Sequence, residues 1–249
     1  MNRRAVLVTG GARRIGAAIS RRFGEAGWHV VIHCCRSYAE AKALAAELPS
    51  AEVVRCDLAD GAAAVAMVED LAARLEDWRA LVSSASVFRP DDVRGLDVGI
   101  HWEAMQVNAA TPAMMAQAYL RLARSSAGRR VIQLTDQKLA NPNPDFFSYT
   151  MSKHAAAAAV TMLAMAAEPA DRVYALAPGA ILPSHDQAPE EAEISHRLNL
   201  LGRRTGADEV AEAALFLAAG PLASGQTLHV DSGQHLLAQP RDVMYLARQ

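Results

Sequence analysis

Tyr149 and Lys153 lie four residues apart in Tyr149-Thr-Met-Ser-Lys153. On a helix that spacing puts a phenol and an ammonium on one face. An unperturbed phenol titrates near about 10, and a neighbouring cation favours the tyrosinate and lowers that value. A tyrosine so tuned can deliver a proton to a group that is receiving electrons. Alone, Tyr-x-x-x-Lys occurs by chance in many helices, so its meaning rests on the rest of the chain.

A second device stands near the start, in Val8-Thr-Gly-Gly-Ala-Arg-Arg-Ile-Gly16. The apolar run Ala5-Val-Leu-Val leads into it and an amphipathic stretch leads out. Strand, glycine turn and helix in that order bind a pyrophosphate: small residues admit the backbone, and the first helical turn offers free N–H groups. Gly10, Arg13, Arg14, Ile15 and Gly16 are the expected contacts there. After the next strand come Arg36 and Ser37, where an acidic residue would hold the ribose 2′-hydroxyl of NAD. Guanidinium and hydroxyl suit a 2′-phosphate instead, so the cofactor expected is NADPH/NADP.

Alternating elements must position these groups. Strands are expected over residues 5–9, 29–33, 52–56, 80–84, 129–134, 172–177 and 226–230. Helices are expected over 15–26, 38–48, 62–75, 101–124, 149–167 and 208–219. Continuous apolar strands separated by helices imply a parallel sheet covered on both faces. The fold class expected is therefore α/β: a single Rossmann-type, doubly wound, seven-stranded parallel sheet, one domain over 1–249. Residues 179–201, with Pro183 and Pro189, read equally as a lid over the crevice or an irregular surface loop. The tail 239–249 is expected at a subunit contact.

Composition bounds the alternatives. The 249 residues are 51% hydrophobic and 21% charged, with net charge -2, an ordinary globular profile without a footprint for nucleic acid. Arg-Arg pairs are scattered rather than striped. Cys34, Cys35 and Cys56 give neither a disulfide framework nor zinc spacing, so a reduced, cytoplasmic protein and no metal site are expected. The first apolar run is one strand long, which does not suit a signal peptide. Residues 155–167 are too short and alanine-rich to span a bilayer and read as a buried helix; no membrane partner is expected.

Taken together, the glycine turn, the Tyr149/Lys153 pair and their order resemble the short-chain dehydrogenases/reductases over about residues 6–237. That resemblance implies further roles. Asp57, followed by Leu58, matches the residue that bonds the adenine amino group. Ser83-Ser84-Ala85-Ser86 stands where Asn-Asn-Ala-Gly is usual, with cofactor contacts at Ser84 and Ala85. Asn108 matches an asparagine that supports a water chain to the lysine, and Lys153 also holds the cofactor ribose. Pro178 and Gly179 match the loop beside the nicotinamide. Tetramers built through the two long helices are usual, so a homotetramer is expected.

Two positions depart from the common pattern. Arg14 replaces the middle glycine, and Asp136 replaces the serine thirteen residues before the tyrosine. That serine bonds a ketone oxygen as negative charge grows on it; a carboxylate would repel the charge unless protonated. An aspartate suits an N–H-rich heterocycle, or a C=N bond whose nitrogen takes a proton. Thr135 is the alternative hydroxyl, but strand alternation turns it away. Arg14, Arg36-Ser37, Ser86 and Asp136 resemble the pteridine and dihydromonapterin reductase branch, as does Phe88, which would stack on a pterin opposite the nicotinamide. The resemblance implies NADPH-dependent reduction of a small-molecule pterin, with Asp136, Tyr149, Lys153 and Asn108 catalytic. Arg14, Ser86 and Phe88 would bind substrate beside Asp136 and Tyr149. The alternatives are a carbonyl reductase acting on a ketone and a non-catalytic NADP-binding sensor.

Overall fold

The computed structural model describes residues 3–183 and 187–248. Its strands are β1 (Ala5–Thr9), β2 (His29–Cys34), β3 (Ala51–Arg55), β4 (Trp78–Ser83), β5 (Arg130–Leu134), β6 (Arg172–Pro178) and β7 (Thr227–Val230). They form one parallel sheet in the order β3-β2-β1-β4-β5-β6-β7. The winding direction reverses between β1 and β4, which opens a crevice at their C-terminal ends.

Helices α1 (Arg14–Glu25), α2 (Tyr38–Glu47) and α8 (Ala207–Ala219) cover one face; α3 (Gly61–Arg74), α5 (Thr111–Leu122) and α6 (Phe147–Ala166) cover the other. Strand β1 explains why its sequence is apolar without alternation. Val6 and Val8 enter the first core, Ala5 and Leu7 the second, and all are buried. Each fully buried Val or Leu contributes roughly 1.5–3 kcal/mol relative to an exposed one, so strands with two dry faces dominate the hydrophobic stabilisation.

Three elements differ from the pattern read along the chain. The helix expected over 101–124 begins earlier, as α4 (Val98–Met105), because Asp97 Oδ1 accepts the Ile100 N–H at 2.9 Å and caps it. It then passes through a π-turn at Gln106–Ala110 before α5. Pro112 supplies a reason: it has no N–H to give the Asn108 carbonyl, and its ring crowds that carbonyl. Residues 187–201 are also not wholly irregular, since α7 (Pro189–Ser195) forms there; residues 184–186 of the expected lid lie outside the described residues. Pro189 at the first helical position and Glu190 and Glu191 in the first turn are the start signal. Finally, the stretch 155–167 is not buried throughout. Only Ala156 and Val160 are in the core, while Met162 is 63% and Met165 83% exposed. Alanine on every side obscures which face a helix buries. Among the described residues no helix is long and apolar enough to cross a membrane.

The tail ends in a short helix, α9 (Val243–Leu246), after Asp242 caps it by accepting the Met244 N–H. It does not project away from its own chain: Met244 packs with Phe146 and Tyr149.

Candidate active site

A crevice of about 620 Å³ runs across the C-terminal ends of β1 and β4, a size ordinary for small-molecule sites. Gly10, Arg13, Arg14, Ile15, Gly16, Arg36, Ser37, Asp57, Leu58, Ser84, Ala85, Ser86, Phe88, Asp136, Tyr149, Lys153, Pro178 and Gly179 all line it. Asn108 does not.

The glycine turn is built for close approach. Gly10 has φ +61°, and a Cβ at Gly16 would fall 2.2 Å from the Gly10 carbonyl oxygen. Neither position tolerates a side chain, so bare backbone faces the crevice. The turn is held from behind by His33 at the end of β2, whose Nδ1 accepts the Gly10 N–H at 3.2 Å. Its Nε2 therefore carries the proton and donates to the Cys56 carbonyl at 3.1 Å. Burial pushes this imidazole down to about 4. Thr9 Oγ1 accepts the N–H groups of Ser84 and Ala85, at 3.0 and 3.1 Å, and binds the β4 loop to the turn. Arg13 and Arg36 are exposed, and their side chains have no hydrogen bond or ion pair among the described residues. Bare glycine backbone, a helix N-terminus and two uncommitted guanidinium groups fit the pyrophosphate and 2′-phosphate of NADP.

Arg14 occupies the left-handed region, with φ +54°. A glycine would adopt that conformation freely, and the arginine pays roughly 1–2 kcal/mol for it. Its guanidinium donates to the carbonyls of Leu182 and Pro183 at 3.3 and 2.9 Å, tying the turn to the segment after β6.

At the chemical end, Tyr149 Oη donates to Asp136 Oδ2 at 2.5 Å, and Asp136 Oδ1 accepts the Lys138 N–H at 2.8 Å. Burial pushes the Asp136 carboxyl up, against the pull of both hydrogen bonds. Thr135 turns away and donates to the Leu176 carbonyl. Lys153 behaves differently from its expected part. Its Nζ donates to the Leu134 carbonyl at 2.8 Å and lies 5.6 Å from the Tyr149 ring centroid. Burial, opposed by Asp136, pushes the ammonium down to about 8. Tyr149 is not shifted toward tyrosinate: burial and the adjacent Asp136 push it well above its ordinary value. The phenol is thus a held proton donor.

Asn108 is wholly buried and its side chain is spent elsewhere. Oδ1 accepts from Val87 N–H at 2.8 Å and Ser86 Oγ at 3.1 Å; Nδ2 donates to the Val87 carbonyl and Ser152 Oγ. It fixes the loop that presents Phe88 rather than reaching the crevice. Phe88 stacks on Phe146, centroids 4.1 Å apart, and meets Tyr149 edge-on at 4.7 Å.

Pattern reading along the chain missed several lining residues: His33, Gln187, Ser195, His196, Gln234, Asp242 and Val243. His33 carried a signal, being the one polar side chain at the end of an apolar strand. The others sit on short elements with no periodicity to place them.

The fold and site define a class: a Rossmann-type oxidoreductase that uses NADP. The comparisons with known proteins agree. The family model described as Enoyl-(Acyl carrier protein) reductase matches residues 10–235, and the chain belongs to the short-chain dehydrogenase/reductase family. It is 32% identical to the "Granaticin polyketide synthase putative ketoacyl reductase 2" of Streptomyces violaceoruber, over 93% of this chain and 96% of that one. It is 27% identical to "Pteridine reductase 1" of Leishmania tarentolae, over 92% and 96%. A solved structure of "FolM Alternative dihydrofolate reductase 1 from Brucella canis complexed with NADP" superposes with a TM-score of 0.88 at 36% identity, covering 94% of each chain.

Proposed function

We propose that this enzyme reduces a C=N bond of a dihydropterin to the tetrahydro form with NADPH. The observation that carries the reading is the half-buried Asp136 carboxyl, bonded to Tyr149 at 2.5 Å where a ketone reductase would present a hydroxyl. NADPH, when bound, supplies hydride to the ring carbon. The chain's own part is the proton. Tyr149 Oη holds it in the crevice, and Asp136 is placed either to replenish the phenol or to accept N–H bonds from the pyrimidine edge. Lys153 keeps a positive charge below the phenol and is placed to hold the cofactor ribose. Phe88, braced by Phe146, offers an aromatic face for a flat heterocycle, with Ser86 and Arg14 at its margins.

The test is NADPH oxidation with dihydrobiopterin, dihydromonapterin and dihydrofolate side by side, beside a panel of simple ketones. Turnover of a dihydropterin with slow ketone reduction supports the reading; the reverse overturns it.

A second reading, reduction of a ketone, is favoured by the likeness to the Streptomyces ketoacyl reductase. It requires Asp136 to tolerate a developing alkoxide, which a carboxylate does only when protonated. Assembly as a cytoplasmic homotetramer is also part of this proposal. The exposed apolar residues Trp102 on α4 and Met162 and Met165 on α6 support it.

A further inference from the structure

At the outer edge of the sheet, β2 and β3 run in register as far as Cys34 and Arg55. The last bond between them runs from the Cys56 N–H to the Cys34 carbonyl, at 3.1 Å. There the two chains part, β2 leading to α2 on one face and β3 to α3 on the other. A continued parallel ladder would offer the Arg36 N–H the Cys56 carbonyl, but His33 Nε2 already donates to that oxygen at 3.1 Å. The segment 35–37, which carries Arg36 and Ser37, is left to other ties. Among the described residues Arg36 has no hydrogen bond, and Ser37 begins α2 without a side-chain cap bond, its carbonyl accepting the Ala41 N–H. Cys35 has one. Arg55, the last residue of β3, reaches back across the gap, and its Nε donates to the Cys35 carbonyl at 2.9 Å. Arg55 is exposed, and among the described residues it has no ion pair and no partner for Nη1 or Nη2. The bond to Cys35 is therefore not the by-product of a salt bridge.

We propose that Arg55 is a positioning residue for the 2′-phosphate of NADP: its bond to the Cys35 carbonyl holds residues 35–37 in the shape that aims Arg36 and Ser37 at that group. The peptide between Cys35 and Arg36 is planar, so fixing its carbonyl fixes the plane from which the Arg36 side chain departs. Without the bond, the segment is ordered only by the phosphate itself, and that ordering weakens the binding of NADPH. NADH has no 2′-phosphate and does not draw on the arrangement. Selectivity between the two cofactors thus depends on a side chain one strand away from the groups that meet the phosphate. The inference concerns the cofactor and is independent of the pterin reading.

The experiment measures Kd for NADPH and for NADH by nicotinamide fluorescence, without substrate, in the wild-type protein and in Arg55→Met and Arg55→Gln. Glutamine places an uncharged N–H donor where arginine has Nε; methionine places a methyl group there. Arg55→Met is expected to weaken NADPH about three- to tenfold, the size of one lost hydrogen bond, while NADH stays within about twofold. Arg55→Gln is expected to stay within about twofold of wild type for both cofactors. In an Arg36→Ala background the guanidinium being aimed is gone, so Arg55→Met should add about twofold at most. Unchanged NADPH affinity in Arg55→Met overturns the inference. Equal weakening of NADPH and NADH also overturns it, because a merely structural effect is blind to the phosphate. A loss in Arg55→Gln as large as in Arg55→Met overturns it as well, since charge rather than the bond is then responsible. So does a full three- to tenfold loss in the Arg36→Ala background.

Discussion

Tyr149 Oη and Asp136 Oδ2 lie 2.5 Å apart, on different elements, with the phenol as donor and the carboxyl anchored by the Lys138 N–H. One residue comes from the first turn of α6 and the other from just beyond β5, so the bond exists only when the sheet and helix are docked. Tyr149 is buried and Asp136 half-buried, and both hold their protons more tightly than in water. Replacing Asp136 with serine is expected to cut kcat/KM for a dihydropterin by about 100-fold or more, the ordinary scale of a lost proton-transfer partner. Ketone reduction should hold or rise. Steady-state assays of the two substrate classes check this, and dihydropterin turnover that survives the substitution contradicts the pterin reading.

Lys153 is buried as a cation pushed down to about 8. Its folded value lies below its unfolded value, so the charge costs stability below pH 8, and that cost disappears as pH rises toward 10.5, where the unfolded lysine also loses its proton. A Lys153→Met protein without cofactor is expected to be more stable than wild type at pH 7 by about 1–3 kcal/mol, with the difference shrinking by pH 10. It should be catalytically inert. Urea unfolding at the two pH values measures the difference.

His33 gives the opposite pH window. Its value is pushed down to about 4, so it folds neutral, and stability is fully present above pH 6.5 and lost as pH falls from there through 4. Up to about 3 kcal/mol is at stake over that interval. His33→Leu should flatten that acid dependence. It also strips the Gly10 N–H of its acceptor, weakening NADPH binding by about tenfold. Fluorescence titration with NADPH, beside thermal melts at pH 5 and 7, tests both parts.

Arg14 carries a left-handed backbone and two bonds to the segment after β6. Arg14→Gly should relieve strain of about 1 kcal/mol and raise the melting temperature by a few degrees. It should also raise KM for substrate, since Leu182 and Pro183 lose their tie. A variant that melts lower contradicts the strain argument.

Arg36 has an uncommitted guanidinium at the lip of the crevice. Arg36→Ala is expected to weaken NADPH about 10- to 100-fold while leaving NADH nearly unchanged, as loss of a charged phosphate contact predicts. Comparing kcat/KM for the two cofactors reads the ratio directly.

Local chemistry accounts for what was legible in the order of residues. Apolar strands with two dry faces, a glycine turn that only bare backbone can make, and Tyr149 and Lys153 one helical turn apart all rest on short-range constraints. They sufficed for the parallel α/β fold, for NADP, and for the crevice position of every expected site residue but Asn108. The tertiary structure decided what depends on burial and on long-range partners. Asn108 spends its amide on Ser86, Val87 and Ser152, far along the chain. Lys153 turns to the Leu134 carbonyl, so the phenol answers to Asp136 instead. The tail brings Asp242 back across 106 residues to the neighbourhood of Asp136. Spacing along a helix tells which groups share a face. Which group sets another's proton affinity depends on distance and solvent exclusion, and those exist only once the chain has closed around the crevice.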